Sequence, residues 1–195
     1  KGPYPADDYT ASVKTNSLGS FIRNNAQVYI SKFKVSDIKG RNSFNWAAFF
    51  FTPYWFFYRK LYKHGAIVMA ILLALSFLSY LPPVEKFLAE SNNFYSQIVA
   101  LNEEELDEQA YAQSLDNLTY EAQRIVTENK LGVGILAGQS LASIILAVFI
   151  GQNANKWYYR HVVKTIRGIR SKATDTDNIK QQIYKAGGYA FGITF

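Results

Sequence analysis

The residue types that most often carry catalysis or bind metal are scarce in this 195-residue chain. Cysteine is absent, and His64 and His161 are the only histidines, which argues against thiolate chemistry and against a metal site. The densest acidic run, Glu103 to Glu108, is typical of a solvated bend or helix start rather than of paired catalytic acids. We therefore predict no catalytic residue, no metal and no cofactor, and we identify no small-molecule substrate.

Three common signatures of hydrolases and nucleotide-binding enzymes are also missing. The sequence contains no G-x-x-x-x-G-K-[ST], no G-x-S-x-G and no H-E-x-x-H segment. Its net charge of +6 and its aromatic residues interleaved with Lys and Arg could suit a nucleic acid. The basic stretches continue directly from apolar segments, however, so lipid headgroups are the nearer anion and we predict no nucleic-acid partner.

Two uncharged stretches are long enough to cross a membrane. They cover residues 65–83 and 131–151, and a spanning helix needs about 20 predominantly apolar residues. A buried core helix of a soluble protein is the alternative for each stretch. The sequence favours an all-α membrane protein with two transmembrane helices.

The distribution of charge predicts how these helices are oriented. Residues 84–130 contain ten acidic and three basic residues, a net charge of −7, whereas Lys and Arg precede the first stretch and follow the second. Because Lys and Arg mark the cytoplasmic side, residues 84–130 should face outward. The expected cytoplasmic parts are residues 1–43, with an amphipathic helix that carries Phe21, Val28, Tyr29 and Phe33 on one face, and a basic, aromatic helix over residues 152–186.

An aromatic segment with a basic collar occupies residues 44–64. Its apolar part is short for a span and contains Pro53, so we predict an interfacial or re-entrant segment, with a third full span as the alternative. Aromatic rings favour the membrane interface, where Lys and Arg meet anionic headgroups. The predicted interface residues are Trp46, Tyr54, Trp55, Tyr58, Arg59, Lys60, Lys63, Trp157 and Tyr158.

Small residues form a stripe in the second uncharged stretch. Gly134, Gly138 and Ala142 recur every four residues, a spacing that allows another helix to approach closely. The partner would be either the first span or a second copy of the chain. Gln139 and Ser140 would bond across helices or line a path for a solute.

The outer segment, residues 84–130, predicts a helical hairpin. Tyr111, Leu115, Leu118 and Ile125 recur at helical spacing and form an apolar seam on an acidic helix. The upstream half offers a less regular apolar face. We expect the seam to dock another membrane or external protein, with burial inside the hairpin as the alternative.

Three short blocks resemble a family of small bacterial integral-membrane proteins of unknown function. They are Asn-Trp-Ala-Ala-Phe at residues 45–49, Tyr-Arg-Lys at 58–60, and Ala-Asn followed by Tyr at 154–158. Members of that family often carry a zinc ribbon before this region, which this sequence lacks. The resemblance implies a multi-pass protein of the bacterial plasma membrane and supplies no activity.

The functional expectation combines these features. We expect a non-enzymatic membrane subunit or scaffold of a larger envelope complex, whose partners are anionic lipids and a protein at the outer hairpin. An oligomeric channel or a transport accessory subunit is the alternative. Ion pathways usually place ionisable residues inside spans, and neither stretch contains one, which favours the scaffold. We also predict that residues 187–195 are the start of a further membrane segment.

Overall fold

The computed structural model describes residues 9–10, 13–39, 43–103, 107–172 and 175–190, and these residues are overwhelmingly helical. The prediction of a helical fold is confirmed at this level. Two compact units are present, one formed by residues 1–69 and 145–195, the other by residues 70–144. The elements of the described residues are β1 (Tyr9–Thr10), β2 (Val13–Lys14), α1 (Thr15–Ile22), α2 (Ala26–Lys39), α3 (Trp46–Tyr58), α4 (Tyr62–Ser76), a 3₁₀ helix (Phe77–Tyr80), α5 (Pro82–Glu103), α6 (Glu108–Glu128), α7 (Lys130–Arg170) and α8 (Thr176–Ala186).

The first unit begins with a minimal antiparallel pair, β1 and β2, followed by two short helices. The single amphipathic helix expected near the N-terminus is two helices, because Arg23 and Asn25 adopt positive φ angles of 63° and 62°. Asn tolerates this region better than most residues, and a chain that enters it cannot continue a right-handed helix. Phe21, Tyr29 and Phe33 are buried as the periodicity indicates, whereas Val28 is exposed.

Helix α3 contains most of the aromatic segment and bends in its middle. Pro53 lacks an N–H, and the backbone leaves the helical region at Thr52 (φ 8°, ψ −92°). The Thr52 hydroxyl donates instead to the carbonyl of Phe49 at 2.9 Å. A short turn in which Lys60 has φ 60° then leads into α4.

Aromatic residues from α2, α3 and α7 form the core of the first unit. The ring of Phe33 lies 4.7 Å from that of Tyr159, and Tyr158 packs edge-on against Tyr29 at 5.2 Å and Trp55 at 6.0 Å. Edge-to-face pairs of this kind add to the stabilisation from burial alone. Helix α8 packs on α1 and contributes the buried Ile183.

The second unit contains the end of α4, the 3₁₀ helix, the α5–α6 hairpin and the start of α7. A Cβ atom added at Gly132 would collide with the carbonyl oxygen of Pro83, so the absence of a side chain there lets α7 approach the start of α5 closely. Nearby, Asn129 donates to Glu90 at 2.7 Å, which fixes the base of the hairpin.

Two helical segments among the described residues are long and apolar enough to cross a membrane. They are Tyr62–Tyr80 and Lys130–Arg170, with mean hydropathies of 1.6 and 2.2 over their most apolar windows, of which 11% and 6% are buried. Helix α7 therefore contains both the predicted span of residues 131–151 and most of the basic, aromatic segment that follows it.

Candidate functional site

The two helices of residues 84–130 pair antiparallel, as polar contacts at two levels show. Gln97 of α5 donates to Glu121 of α6 at 3.4 Å, and Glu90 accepts from Asn129 just beyond the end of α6. Asp107 caps α6 by accepting from the backbone N–H of Ala110 at 2.8 Å. Helix α5 ends at Glu103 and α6 begins at Glu108, so these two residues lie on either side of the bend; Glu104 and Glu105 lie outside the described residues.

The apolar seam of α6 is covered at its base and open towards the bend. Ile125 is 4% exposed and Leu118 is half-buried, whereas Tyr111 and Leu115 are 41% and 44% exposed. An open cavity of about 400 Å³ lies between the helices at this level. We call it the hairpin groove; its apolar lining includes Phe94, Ile98, Leu101, Tyr111, Leu115 and Leu118.

The hairpin as a whole is strongly negative, although no Asp or Glu of the described residues lines the groove itself. Arg124 is the main internal counter-ion, and it lies 3.0 Å from Glu128 and 3.7 Å from Glu121. Asp107, Glu108 and Asp116 are exposed to solvent. An apolar groove on an acidic hairpin is suited to an amphipathic helix that carries basic residues.

The stripe of small residues does not pack against the first predicted span. A Cβ atom added at Gly134 or Gly138 would meet no described atom within 4 Å outside its own helix, and Ala142 is half-buried. Among the described residues, neither glycine of the stripe makes a close contact with another helix, and which partner the stripe meets stays a prediction. Gln139 does bond across helices, accepting from the Ser79 hydroxyl at 3.1 Å, whereas Ser140 is exposed.

In the first unit, a pair of asparagines joins two of the sequence blocks. Asn45 caps α3 by accepting from the N–H of Ala48 at 3.0 Å and donates to the side-chain oxygen of Asn155 at 2.8 Å. Asn155 in turn donates to the backbone carbonyl of Ser43 at 2.9 Å. The backbone N–H of Asn45 also donates to the carbonyl of Gly151 at 2.7 Å. Both asparagines are buried, so each bond replaces one that water would otherwise supply.

Arg59 occupies the centre of a cluster of tyrosines. Its guanidinium carbon lies 4.5 Å from the ring centre of Tyr29, 5.0 Å from Tyr189, 5.1 Å from Tyr158 and 5.5 Å from Tyr58. The side chain is buried, and its Nε and Nη1 atoms have no hydrogen-bond partner in the described part of the chain. We call these five residues the tyrosine cluster.

Electrostatics within the tyrosine cluster favour a charged Arg59 and a neutral Tyr158. Burial opposes the charge of Arg59, but the neighbouring tyrosines outweigh it and raise its pKa above the usual value. Burial raises the pKa of Tyr158, which lies beyond the apolar stretch of α7, to about 12. The ring faces around the guanidinium add a cation–π attraction, where a buried arginine usually has a carboxylate partner.

Residues 187–190 contribute Tyr189 to the tyrosine cluster and bond to residues in it and next to it. Tyr189 stacks on Tyr58 with ring centres 4.5 Å apart, and the N–H of Ala190 donates to the carbonyl of Tyr58 at 3.1 Å. Lys60 donates to the carbonyl of Gly187 at 2.7 Å. Residues 191–195 lie outside the described residues, so a further membrane segment starting at 187 stays a prediction.

The predicted interface residues fall into two groups in the structure. Trp55, Arg59 and Tyr158 are inside the first unit, where burial removes them from contact with headgroups. The sequence could not separate these groups, since an aromatic residue beside Lys or Arg has the same local pattern in a core and at an interface. The exposed or half-buried members are Trp46, Tyr54, Tyr58, Lys60, Lys63 and Trp157.

Comparison with known proteins gives one match. A family model described as "Protein of unknown function (DUF2628)" matches residues 13–101, which include the blocks at 45–49 and 58–60 but not the block at 154–158. The match supports similarity to an uncharacterised family. No curated protein and no solved structure matches the chain.

Proposed function

We propose that this chain is a multi-pass, non-enzymatic scaffold subunit of a larger complex in the bacterial plasma membrane, and that it docks a partner protein through the hairpin groove. The observation that carries the proposal is the half-open seam of α6. Ile125 is buried within the hairpin, whereas Tyr111 and Leu115 of the same seam remain exposed. A contiguous apolar surface left open in this way is typical of an interaction site.

Exposed apolar side chains support the membrane location. Ile67, Ile144, Ile145 and Phe149 are each more than half exposed on α4 or α7. Covering such surface is worth about 25 cal/mol per Å², so a lipid environment would stabilise the chain. The concentration of Lys and Arg outside residues 84–130 favours an external hairpin.

The partner that suits the hairpin groove is a helix with an apolar face and basic flanks. The apolar face would insert between Leu101 and Leu115, and basic residues would approach the exposed carboxylates of the hairpin, such as Asp116. The net charge of −7 on residues 84–130 would speed the encounter and select against acidic partners.

A photo-crosslinking experiment in the native host tests this proposal. A photoreactive phenylalanine at Tyr111 should give one discrete adduct with another protein, while the same residue at Tyr120, which is 72% exposed on the same helix, should not. Replacing Leu115 with Glu should abolish the adduct at 111, because a charge in the groove opposes burial of an apolar helix.

Two outcomes would contradict the scaffold role. Equal labelling from positions 111 and 120 would indicate random encounter at an acidic surface. An adduct that consists of two copies of this chain would show that the groove mediates self-association instead. In either case the Leu115→Glu variant shows whether the groove is involved at all.

A further inference from the structure

A second cavity, of about 540 Å³, lies in the first unit between the start of α4 and the latter half of α7. Trp157 and the buried Leu61 contribute apolar surface to it. We call it the basic groove. Its cationic and imidazole side chains are Lys60, Lys63 and His64 on one side and Arg160, His161 and Lys164 on the other.

Within the described part of the chain, no neighbouring carboxylate neutralises this charge. The lining contains no Asp or Glu, and the sequence has no acidic residue between positions 38 and 84 or between 129 and 174. Lys63, Arg160 and Lys164 take part in none of the salt bridges among the described residues. Like charges held together in this way repel one another unless an anion joins them.

The environment of the basic groove also opposes protonation. Burial, together with nearby Arg23, lowers the pKa of Lys60, and burial, together with His64, lowers the pKa of His161. Each shift means that the positive form is unfavourable as the groove stands. A bound anion would favour the protonated, positive form.

The basic groove lies next to the apolar stretches. Lys63 and His64 immediately precede the uncharged stretch that begins at residue 65. Trp157 follows the end of the second stretch, at residue 151, by six residues, or about 9 Å along a helix. The headgroup layer on each side of a bilayer is about 5–8 Å thick, so Lys63 and His64 lie at its level and Trp157 lies near its outer edge.

A continuous surface links the basic groove to the apolar face of α7. The ring of Phe149 lies 5.8 Å from that of Trp157, and Phe149 is more than half exposed. A molecule with a phosphate in the groove could therefore lay a hydrocarbon chain along α7. A free phosphate would leave this apolar surface uncovered.

We propose that the basic groove binds the phosphate of an anionic phospholipid headgroup, with the acyl chains of that lipid lying against the apolar surface of α4 and α7. This site rests on the membrane location proposed above and is independent of the docking role of the hairpin. Phosphate recognition by clustered Lys and Arg is the shared chemistry, and the adjacent apolar surface favours the lipid over a soluble phosphate ester.

The test compares lipids in vesicles that contain the full chain. Brominated phosphatidylglycerol should quench tryptophan fluorescence more strongly than brominated phosphatidylcholine at equal mole fraction, because Trp157 lines the groove. The double variant Arg160→Gln, Lys164→Gln should lower the preference for phosphatidylglycerol about 30-fold, given about 1 kcal/mol for each basic residue near an anionic surface. The matched control is Lys172→Gln, Lys185→Gln, which removes the same charge at exposed positions outside the groove and should keep the preference.

Four results would overturn the site in different ways. Equal loss in the two double variants would mean that only the overall charge attracts the lipid, and equal quenching by both lipids in the wild type would mean that no headgroup is selected. Inorganic phosphate that abolishes the preference at low millimolar concentration would identify a soluble anion as the ligand. Protein that fails to insert into any vesicle would contradict the proposed membrane location, whereas insertion without lipid selection would contradict this site alone.

Discussion

Replacing Asn45 with Ala should destabilise the first unit by about 2–4 kcal/mol. The Asn45 side chain caps α3, and losing such a cap costs about 1 kcal/mol. It also donates to Asn155, whose buried side-chain oxygen would lose this donor at a further cost of about 1–3 kcal/mol. Asn45→Ser keeps a capping oxygen but cannot reach Asn155. It should therefore lose only the stability that comes from the bond to Asn155, about 1–3 kcal/mol.

A double-mutant cycle separates the pair from its surroundings. Asn45→Ala combined with Asn155→Ala should cost about 1–2 kcal/mol less than the sum of the single variants, because the second substitution removes the group that the first leaves without a partner. The measurement is urea unfolding in mild detergent, followed by tryptophan fluorescence. Trp55 reports on this unit, since its ring is buried against Phe56 and Tyr158.

Asn153→Ala provides the matched control on α7. Asn153 donates only to the carbonyl of Phe149 within its own helix, so its removal should change the free energy of unfolding by less than about 0.5 kcal/mol. Additive single and double variants, or an Asn45→Ala variant as stable as the control, would refute the view that this bond joins α3 to α7.

Three further outcomes are expected. Gly132→Ala should lower thermal stability by the equivalent of about 1–3 kcal/mol, because its Cβ would collide with the backbone at the start of α5. Gly134→Ala places its Cβ in open space and should not lower stability. Thermal unfolding of both variants in detergent tests this difference. Stability should be lost as the pH rises from about 10 to 12, since the unfolded chain releases the phenolic proton of Tyr158 before the folded chain does. The contribution of Tyr158 is about 3 kcal/mol, and the loss should be smaller by that amount in Tyr158→Phe, where Tyr58, whose pKa burial also raises, still contributes. Cysteine at Asn117 should react with an impermeant reagent on intact cells and cysteine at Gln181 should not; the reverse pattern would invert the predicted topology.

Features that depend on nearby residues were predictable from the sequence. The lengths of the uncharged stretches identify Tyr62–Tyr80 and the apolar part of α7, since a span is defined by consecutive residues. The spacing of Leu118 and Ile125 likewise indicates the face that α6 turns towards α5. Even there, the pattern could not say how far the seam would be covered, because this depends on the fit of the opposing helix.

Features that depend on distant residues were not predictable. Gly134 and Gly138 share one face of a helix, but spacing alone cannot tell whether that face meets a neighbour; the close approach occurs at Gly132 instead. Arg59 follows an aromatic run, a pattern that indicates headgroup contact. Its burial depends on rings supplied by Tyr29 and Tyr158, far away in sequence.

The tyrosine cluster has a consequence for acid and salt tolerance. An arginine held by a carboxylate loses its partner when the carboxylate is protonated near pH 4, whereas the faces of tyrosine rings carry no titrating group in that range. Arg59 is buried, so dissolved ions screen its contacts only weakly. The first unit should keep this contact in strong acid and in concentrated salt alike, because acid leaves Arg59 protonated and its ring partners neutral, and burial limits screening by salt.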